Sequence, residues 1–448
     1  MQNSNFLINK KELIKGSNSR RLVLNTIDYA LREADPKRII YNNLRVEDNT
    51  LIIKNNKIRL DFKSIYVIGG GKASASMAKA LEVILGDKIR DGLVIIPDYQ
   101  IYSSSIIRFW KATHPIPSIK GVEGVKRLIE LADKASSDDL IICLISGGCS
   151  ALMPLPYDGI TLEEKQEITR RLLRAGANIE EINTVRKHIS SIKGGRLVEI
   201  LKDKNILSLI ISDVIGDKLD TIASGLTVGD TTTFNDAKSI LVRYNLWNEF
   251  ESIKSIIEDG IKGKIKDTPK PHNPIFKNVK NIILANNEFI CIKAREYMIN
   301  HGINAKILTT TLQGEAKDVG LVLASITREI EHNNRPFSKP IGLIAGGETV
   351  VTLHGDGKGG RNQEMMLSAL RVLKDSKRYT MAAIATDGRD GNSNAAGAII
   401  DVSTLSNALD INEFLLRNDS NTFFVNVNDA IYTSSDTNLN DIIVILVD

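Results

Sequence analysis

The sequence predicts an α/β protein with a mainly parallel sheet, and two observations support this. Nine short apolar runs rich in β-branched residues alternate with longer segments of helical period, which is the pattern of α/β layers. The runs are continuously apolar instead of alternating, as expected for strands that are covered on both faces. They read IYVIGG, GLVIIP, LIICLISGG, ILSLIISDV, NIILANN, NAKILTTT, PIGLIAGGE, YTMAAIATDG and DIIVILVD.

The length of 448 residues, of which 42% are hydrophobic and 25% charged, predicts a globular chain of two or more domains. The stretch Gly260–Asn278 is rich in Lys and Pro and has no periodicity, so it is the best candidate for a boundary. We therefore expect one α/β domain over residues 1–260 and a second over residues 275–448.

The charge balance and the termini predict a cytoplasmic protein with no nucleic-acid or membrane partner. The net charge is only +4, from 58 basic and 54 acidic residues, and aromatic residues make up 5% of the chain. No apolar run is long enough to span a bilayer, and the N-terminal apolar stretch is too short for a signal peptide. The oligomeric state stays open, with a homodimer as one candidate.

The first glycine turn, in IYVIGGGKAS, is a candidate anion site. Gly69, Gly70 and Gly71 follow an apolar run, and Lys72 stands at the predicted start of a helix. A cation is disfavoured at that end of a helix unless an anion binds there as well. The dinucleotide pattern G-x-G-x-x-G fits with Ser74 in the third place, whereas the P-loop pattern does not fit. The alternative is a lysine whose charged end lies in water.

The same arrangement recurs after two other apolar runs. These turns contribute Ser146, Gly147, Gly148 and Ser150 after one run, and Gly346, Gly347 and Glu348 after another. A glycine-rich loop then places Arg361 at the start of a helix, as the first turn does with Lys72. Each turn alone could be an ordinary strand-to-helix connection. Together they predict phosphate-binding groups at the carboxyl edge of a sheet, where open α/β sheets bind ligands.

Acidic residues follow two further runs. Asp213 and Asp387 stand just past predicted strands, where carboxylates suit Mg²⁺ that is also held by phosphate and water. The alternative is turn chemistry, in which Asp bonds its own backbone.

The stretch INTVRKHISSIKGGRLVEIL is predicted to be a helix that ends at Gly194–Gly195. In that helix Arg186, Ser190 and Lys193 share a face, which is either a substrate-binding face or a solvated one. His188 is the only histidine beside a motif in this interpretation.

The assembled motifs resemble the glycerate kinases of the MOFRL family. The resemblance rests on GGGKAS, LISGGCSALMPLP, NTVRKHISSIKGGRL, SDVIGD, IASGLTVGD, GGETVVTL, GKGGRNQE, ATDGRDG and TNLND. It implies an N-terminal Rossmann-like domain with a doubly wound sheet, a C-terminal α/β MOFRL-type domain, and an active site in the cleft between them. It also implies Mg²⁺-dependent transfer of the ATP γ-phosphoryl group to D-glycerate, giving 2-phosphoglycerate, with Lys72 and Arg361 as functional residues.

The mechanistic hypothesis assigns a role to each group. Arg361 clamps the glycerate carboxylate, with Lys72 and Arg186 as further substrate-binding cations, and Lys72 neutralises charge on the transferred group. Asp213 either accepts the hydroxyl proton or holds Mg²⁺, and Asp387 is the second metal candidate.

Two rival functions remain open at the level of sequence. One is an NAD(P)H-dependent hydroxypyruvate reductase, which would use the dinucleotide-like turn together with Asp98. The other is a non-catalytic sensor of nucleotides or organic acids.

Overall fold

The chain divides into two compact units that are not consecutive in sequence. The structure is a computed structural model that describes residues 7–405, 409–435 and 437–448. One unit, here the mid-chain unit, is Ile39–Leu284; the other, here the terminal unit, combines Met1–Arg38 with Ala285–Asp448. This division differs from the predicted domains 1–260 and 275–448 chiefly because residues 7–38 lie with the C-terminal part of the chain.

The strands are numbered in chain order. They are β1 (Leu44–Glu47), β2 (Thr50–Ile53), β3 (Asn56–Arg59), β4 (Ile65–Gly70), β5 (Ile89–Pro97), β6 (Ile107–Ala112), β7 (Leu140–Ile145), β8 (Asn205–Ile211), β9 (Val279–Ala285), β10 (Asn304–Leu312), β11 (Ile341–Gly347), β12 (Tyr379–Ala385), β13 (Gly397–Asp401), β14 (Ala430–Ile431) and β15 (Asp441–Val447).

The α-helices are numbered in the same way. They are α1 (Lys10–Leu13), α2 (Asn18–Glu33), α3 (Pro36–Asn43), α4 (Ser74–Leu85), α5 (Ile119–Ala132), α6 (Cys149–Leu152), α7 (Leu162–Arg174), α8 (Ile179–His188), α9 (Arg196–Ile200), α10 (Phe234–Arg243), α11 (Glu251–Ile261), α12 (Asn287–Asn300), α13 (Ala316–Asn333), α14 (Arg361–Val372), α15 (Ile411–Leu416) and α16 (Ser420–Asn426).

The main sheet of the mid-chain unit is doubly wound. Its strand order is β6-β5-β4-β7-β8-β9, and the pairs β6–β5, β5–β4, β4–β7 and β7–β8 are parallel. Counted from β4 this is the order 3-2-1-4-5-6, in which the winding direction reverses between β4 and β7. The predicted α/β class with a doubly wound sheet is confirmed. The reversal point lies between the first two glycine turns, since those turns follow β4 and β7.

The sheet of the terminal unit is mixed. Its order is β10-β11-β15-β12-β13-β14; β10 and β11 are parallel, and the remaining pairs are antiparallel. Strand β15 lies between β11 and β12, with Asp441 opposite both Gly347 and Ala385. The turns after β11 and β12 therefore meet at the edge where β15 begins.

All nine predicted strands are present, and the helix boundaries contain one error. The pattern missed the antiparallel ribbon β1–β2–β3 and the strands β6, β13 and β14. The helix predicted to reach Gly194–Gly195 is wrong in its second half, because α8 ends at His188. Ser190 then forms a bridge to Pro156 and donates its hydroxyl to the Leu155 carbonyl, which pulls the chain out of helical geometry.

Helix α2 anchors the first part of the chain in the terminal unit. Its apolar face, which includes Val23, Leu24 and Ile27, is fully buried, and the helix packs on α12, β12 and β15. In the described part of the chain, no helix is long and apolar enough to cross a membrane.

Candidate active site

Two glycine turns of the mid-chain unit are tied together by hydrogen bonds. The Lys72 amide donates to the Gly147 carbonyl at 2.8 Å, and the Ala73 amide donates to Ser146 Oγ at 3.0 Å. The Ser74 and Ser146 hydroxyls lie 3.1 Å apart, and both residues are buried. Ser146 and the amides of Lys72 and Ala73, which lie just before α4, are thus engaged within the protein. These two amides are therefore not available to a ligand.

Gly71 permits this close approach. Its φ is +137°, a conformation that favours glycine, and a Cβ atom there would overlap the Ser146 hydroxyl. The junction between the turns after β4 and β7 therefore requires glycine at this position. Gly69 and Gly70 are the last residues of β4 and are buried within the sheet.

Asp213 and His114 lie against the second turn. A Cβ atom at Gly147 would overlap the Asp213 carboxylate, and one at Gly148 would lie 2.8 Å from the His114 ring and 3.4 Å from Lys72 Cγ. Burial, followed by the charge of Lys72, lowers the pKa of His114 to about 4. At neutral pH the turn therefore carries a lysine, a carboxylate and an uncharged imidazole side by side.

Ser150, one turn further on, joins a buried polar cluster. Its hydroxyl lies 2.9 Å from that of Ser224, which donates to Asn183 Oδ1 at 3.0 Å. Lys193 Nζ donates to Ser150 Oγ at 3.3 Å and to the Ala223 carbonyl at 3.4 Å. Ser150 therefore connects the glycine turn to a fully buried lysine.

Arg186 reaches the same region from α8. An Asn178–Glu181 capping box fixes the start of that helix, and Arg186 lies half-buried in its last turn. Together with Gly148 and Ser150 it lines one pocket of the mid-chain unit.

Arg361 lies in the terminal unit and is paired. It is the first residue of α14, and its Nε and Nη2 donate to the two carboxylate oxygens of buried Asp441 at 2.6 and 2.9 Å. Nη1 lies 3.3 Å from exposed Glu348. Burial raises the pKa of the Asp441 carboxyl group, and the hydrogen bond from Arg361 opposes this rise. The guanidinium group of Arg361, which was expected to bind a substrate carboxylate with two hydrogen bonds, therefore makes these two bonds to Asp441.

The other predicted residues of the terminal unit lie at the same sheet edge. Gly346 and Gly347 end β11, and a Cβ atom at Gly346 would overlap the side chain of Asn287. Asn287 donates to the Leu439 and Asp441 carbonyls at 2.8 and 2.9 Å. Asp387 follows β12 and accepts a bond from the Arg389 amide at 3.3 Å, as a turn-forming aspartate does.

The structure thus gathers the predicted residues into two groups. The mid-chain group contains Gly69, Gly70, Gly71, Lys72, Ser146, Gly147, Gly148, Ser150, Arg186 and Asp213. The terminal group contains Gly346, Gly347, Glu348, Arg361 and Asp387.

Sequence reasoning missed two residues near the mid-chain group, His114 and Lys165, and among the histidines it singled out only His188. His114, not His188, lies beside the glycine turn; His188 is buried, with Nδ1 on the Thr184 carbonyl and Nε2 on Asp267. Buried Lys165 occupies the apolar stripe of α7. A lysine in that stripe was a signal available from the sequence. No sequence signal indicated that Lys193 is buried, because this residue follows the end of a helix and belongs to no apolar stripe.

The metal candidates are single carboxylates. Among residues 7–405, 409–435 and 437–448, no group of three or more His, Cys, Asp or Glu side chains could hold a metal ion. Asp213 and Asp387 belong to different units. The chain therefore offers at most a partial set of oxygen ligands at either position, which is the usual situation for Mg²⁺ bound with phosphate.

Comparison with known proteins assigns the chain to a family. Residues 22–258 match a domain of unknown function, DUF4147, and residues 341–441 match the MOFRL family. A glycerate 2-kinase from Pyrococcus horikoshii is 41% identical over 96% of this chain and 97% of its own. A protein from Agrobacterium vitis, provisionally named a hydroxypyruvate reductase, is 38% identical over 85% of this chain and 98% of its own.

The fold agrees with this assignment. The crystal structure of a glycerate kinase from Thermotoga maritima superposes with a TM-score of 0.85 and 36% identity, covering 96% of this chain and 99% of that one. The two domain matches, the relatives and the superposition together cover nearly the whole chain. The protein belongs to the glycerate kinase family that carries a MOFRL domain.

Proposed function

We propose that this enzyme transfers the γ-phosphoryl group of ATP to the 2-hydroxyl of D-glycerate, giving 2-phosphoglycerate and ADP with Mg²⁺ as the cofactor. It would act in the cytoplasm on small molecules alone. Family membership supports glycerate phosphorylation, since the named relatives include glycerate kinases. The nucleotide, the metal and the position of the phosphate on the product are our proposals.

The observation that carries the proposal is the juxtaposition at the reversal point of the mid-chain sheet. The Asp213 carboxylate adjoins Gly147 and Lys72 Cγ adjoins Gly148, so both residues lie against one turn at the carboxyl ends of β4, β7 and β8. Phosphoryl transfer needs positioning and charge neutralisation more than covalent chemistry. A lysine next to a potential base meets both needs.

In the proposed step the glycerate O2 forms a bond to the γ-phosphorus while the bond between that phosphorus and the β,γ-bridging oxygen breaks. Lys72 neutralises negative charge on the transferred group. Asp213 either accepts the proton of the attacking hydroxyl or serves as a metal ligand, and its position against the turn suits both roles. Because burial and Lys72 keep His114 uncharged, His114 can accept a hydrogen bond without adding positive charge.

The residues of the mid-chain group fit Mg²⁺ only if the ion also takes ligands from the nucleotide phosphates and from water. One carboxylate at the turn, from Asp213, suits a metal whose other ligands are water and phosphate oxygens. When bound, the ion would supply positive charge to the phosphates. Asp387 remains our second candidate ligand.

We assign Arg361 to orientation of the substrate, through the nitrogen that Asp441 does not hold. Its Nη1 faces exposed Glu348, so this side can exchange partners at a smaller cost than the buried two-point bond to Asp441. Gly346, Gly347 and Glu348 would lie next to the same ligand.

The rival reductase has less structural support. A dinucleotide enzyme of this fold places pyrophosphate on the first amides of the helix after β4. In this chain the Lys72 and Ala73 amides, just before that helix, bond to Gly147 and Ser146 and are not available to a pyrophosphate. Exposed Asp98 does follow β5, where the ribose-binding acid of such an enzyme would lie.

A coupled assay separates the possibilities. ADP release is measured with D-glycerate, L-glycerate and a panel of other hydroxy acids, and enolase then detects 2-phosphoglycerate but not 3-phosphoglycerate. We expect ADP release with D-glycerate, a positive enolase signal, and loss of activity with EDTA. Oxidation of NADH by hydroxypyruvate without ADP release would establish the reductase. Nucleotide binding without turnover of any acid would indicate a sensor.

A further inference from the structure

Three cations of the mid-chain unit gather around one cavity. The cavity has a volume of about 830 Å³, and Gly148, Ser150, Lys165 and Arg186 contribute to its wall. Lys193 lies behind Ser150, with Nζ on the serine hydroxyl at 3.3 Å. We call this group, formed by Ser150, Lys165, Arg186 and Lys193, the basic pocket.

None of the three cations has a carboxylate partner within the described chain. Lys193 donates only to Ser150 Oγ and the Ala223 carbonyl, and Lys165 Nζ donates to the Leu155 carbonyl at 3.3 Å. Arg186 has neither a hydrogen bond nor an ion pair among residues 7–405, 409–435 and 437–448.

The acids on the wall do not compensate these charges. Two acids, Glu163 and Glu167, line the cavity. Glu163 is exposed, and Glu167 is bonded to Arg170 and Arg171. Neither acid is bonded to a cation of the basic pocket, so Lys165 and Arg186 line the cavity uncompensated, as does Lys193 behind Ser150.

Burying like charges together without counter-ions is unfavourable. Burial, and then the nearby Arg186, lowers the pKa of Lys193 to about 7. Burial, and then Lys193 and Arg186, lowers the pKa of Lys165 well below its ordinary value. An anion in the pocket would remove this penalty, because it would pair with all three groups. A site of this kind is suited to a ligand with several negative charges.

The shape of the cavity narrows the choice of ligand. The volume of the cavity far exceeds the needs of a three-carbon acid, and a single carboxylate would supply only one negative charge against three cations. Much of the remaining wall is apolar, including Pro115, Ile116, Pro154 and Leu162. A molecule with a polyanionic end and a flat, weakly polar end matches both parts. Gly148, at the boundary of the cavity, also adjoins Lys72 Cγ and His114.

We propose that the basic pocket binds the nucleotide co-substrate, with Arg186, Lys165 and Lys193 on its phosphates and the proline-containing wall beside its nucleoside. This rests on the proposed function for the use of a nucleotide. The phosphate chain would then run from the basic pocket past Gly148 to Lys72. Lys165 and Lys193 thereby become nucleotide-binding residues, and Arg186 binds nucleotide instead of glycerate.

Calorimetric titration with ADP tests the proposal independently of turnover. The variants are Lys165→Met and Arg186→Gln, and the matched controls are Lys57→Met and Arg59→Gln on β3, which remove exposed charges from the same unit. We expect the pocket variants to weaken ADP binding about tenfold or more, since each loses a charge-assisted contact with phosphate. The controls should stay within about twofold of wild type. Tripolyphosphate should compete with ADP for the wild-type protein.

Two further readouts separate binding from a structural role. The KM for ATP should rise in both pocket variants while the KM for D-glycerate changes little. Lys165→Met should also raise the melting temperature of the ligand-free protein, because it removes an uncompensated buried charge, whereas loss of a structural lysine would lower it.

The proposal is overturned if folded pocket variants keep the ADP affinity of wild type, or if they raise the KM for glycerate instead of that for ATP. The second result would identify a carboxylate site. If wild type binds ADP in a manner that depends on Arg186 but phosphorylates no hydroxy acid, the pocket assignment stands and the proposed function fails.

Discussion

Two groups of cations in this protein, one in each unit, are buried in opposite ways. In the terminal unit, fully buried Arg20 lies between Asp401 and Asp429, with donor–acceptor distances of 2.6–2.8 Å for its shortest bonds to each. In the mid-chain unit, Lys165, Arg186 and Lys193 surround a cavity with no carboxylate among their partners. A buried cation with acids on both sides holds segments of chain together. Buried or half-buried cations that have no acid as a partner and lie around a cavity instead indicate a ligand.

Arg361 is intermediate between these cases. Its fork is bonded to buried Asp441, as in a structural pair, but 26% of its side chain remains exposed and Nη1 faces an exposed acid. We therefore rank the cations by whether acids are bonded to them. A cation with acidic partners should matter more for stability, and a cation without them should matter more for activity.

The largest expected effect on activity is at Lys72. Lys72→Ala should lower kcat/KM for D-glycerate by about 10³-fold, because it removes the charge nearest the proposed transfer site. Unfolding in urea should be close to that of wild type. Lys79→Ala, on α4, the helix that follows Lys72, and outside both groups, is the control. Activity of Lys72→Ala near that of Lys79→Ala would exclude the proposed role.

The largest expected effect on stability is at Arg20. Arg20→Met should lower the free energy of unfolding by about 3–5 kcal/mol, because the Asp401 carboxylate would stay buried without its partner, while Asp429 would keep Lys15. Arg21→Met changes the next residue of α2, which is exposed, and should stay within about 0.5 kcal/mol of wild type. Equal effects in the two variants would mean that compensation by acids does not identify structural cations.

Arg361→Lys should change activity and stability together. A lysine cannot make the two-point bond to Asp441, so we expect kcat to fall about 10- to 100-fold and stability to fall by about 1–2 kcal/mol. The control is Arg371→Lys, near the end of the same helix and exposed. A fall in stability with unchanged kcat would assign Arg361 to structure alone.

The smallest expected effect is a proton taken up on binding. Because the folded-state pKa of Lys193 is lowered to about 7 from 10.5, the lysine is partly neutral above pH 7 in the ligand-free protein. A bound phosphate favours the charged form. ADP binding at pH 8 should therefore take up protons and weaken as pH rises, as calorimetry in buffers of different ionisation enthalpy can measure. Lys193→Met should take up fewer protons; equal uptake would contradict a phosphate next to Lys193.

The same pKa fixes the sign of the effect on stability. Between about pH 7 and pH 10.5 the unfolded chain binds a proton at Lys193 that the folded chain does not. The contribution of this residue to the stability of the ligand-free protein therefore increases with pH across that window.

Local patterns were enough for most of the fold. Most long strands of the two main sheets contain a continuous apolar run, and such runs are recognisable without knowing their neighbours. The ribbon β1–β2–β3 was missed because its strands are four residues long and its turns, at Asp48–Asn49 and Asn55, carry no glycine. The assignment of residues 7–38 to the terminal unit was beyond reach, because an amphipathic helix does not specify its sheet.

In the candidate site, too, features that are local in sequence could be predicted, and contacts between distant segments could not. The glycine turns and the cations beside them are adjacent in sequence, so Lys72 and Arg361 could be predicted. Whether a cation has an acid as its partner is decided by contacts between distant segments: Asp441, which binds Arg361, lies 80 positions after it, whereas no described acid is bonded to Lys165. The sequence can therefore identify a candidate cation. Only the partners of that cation in the structure show whether its role is structural or ligand-binding.

The early position of α2 in the chain affects the order of folding during synthesis. This helix leaves the ribosome long before β12 and β15, the strands that cover its apolar face, whereas every strand of the mid-chain sheet is made between those two events. The mid-chain unit can close while α2 still lacks its sheet. The nascent chain must therefore carry an exposed apolar helix through most of translation, which makes this segment a natural client for a chaperone.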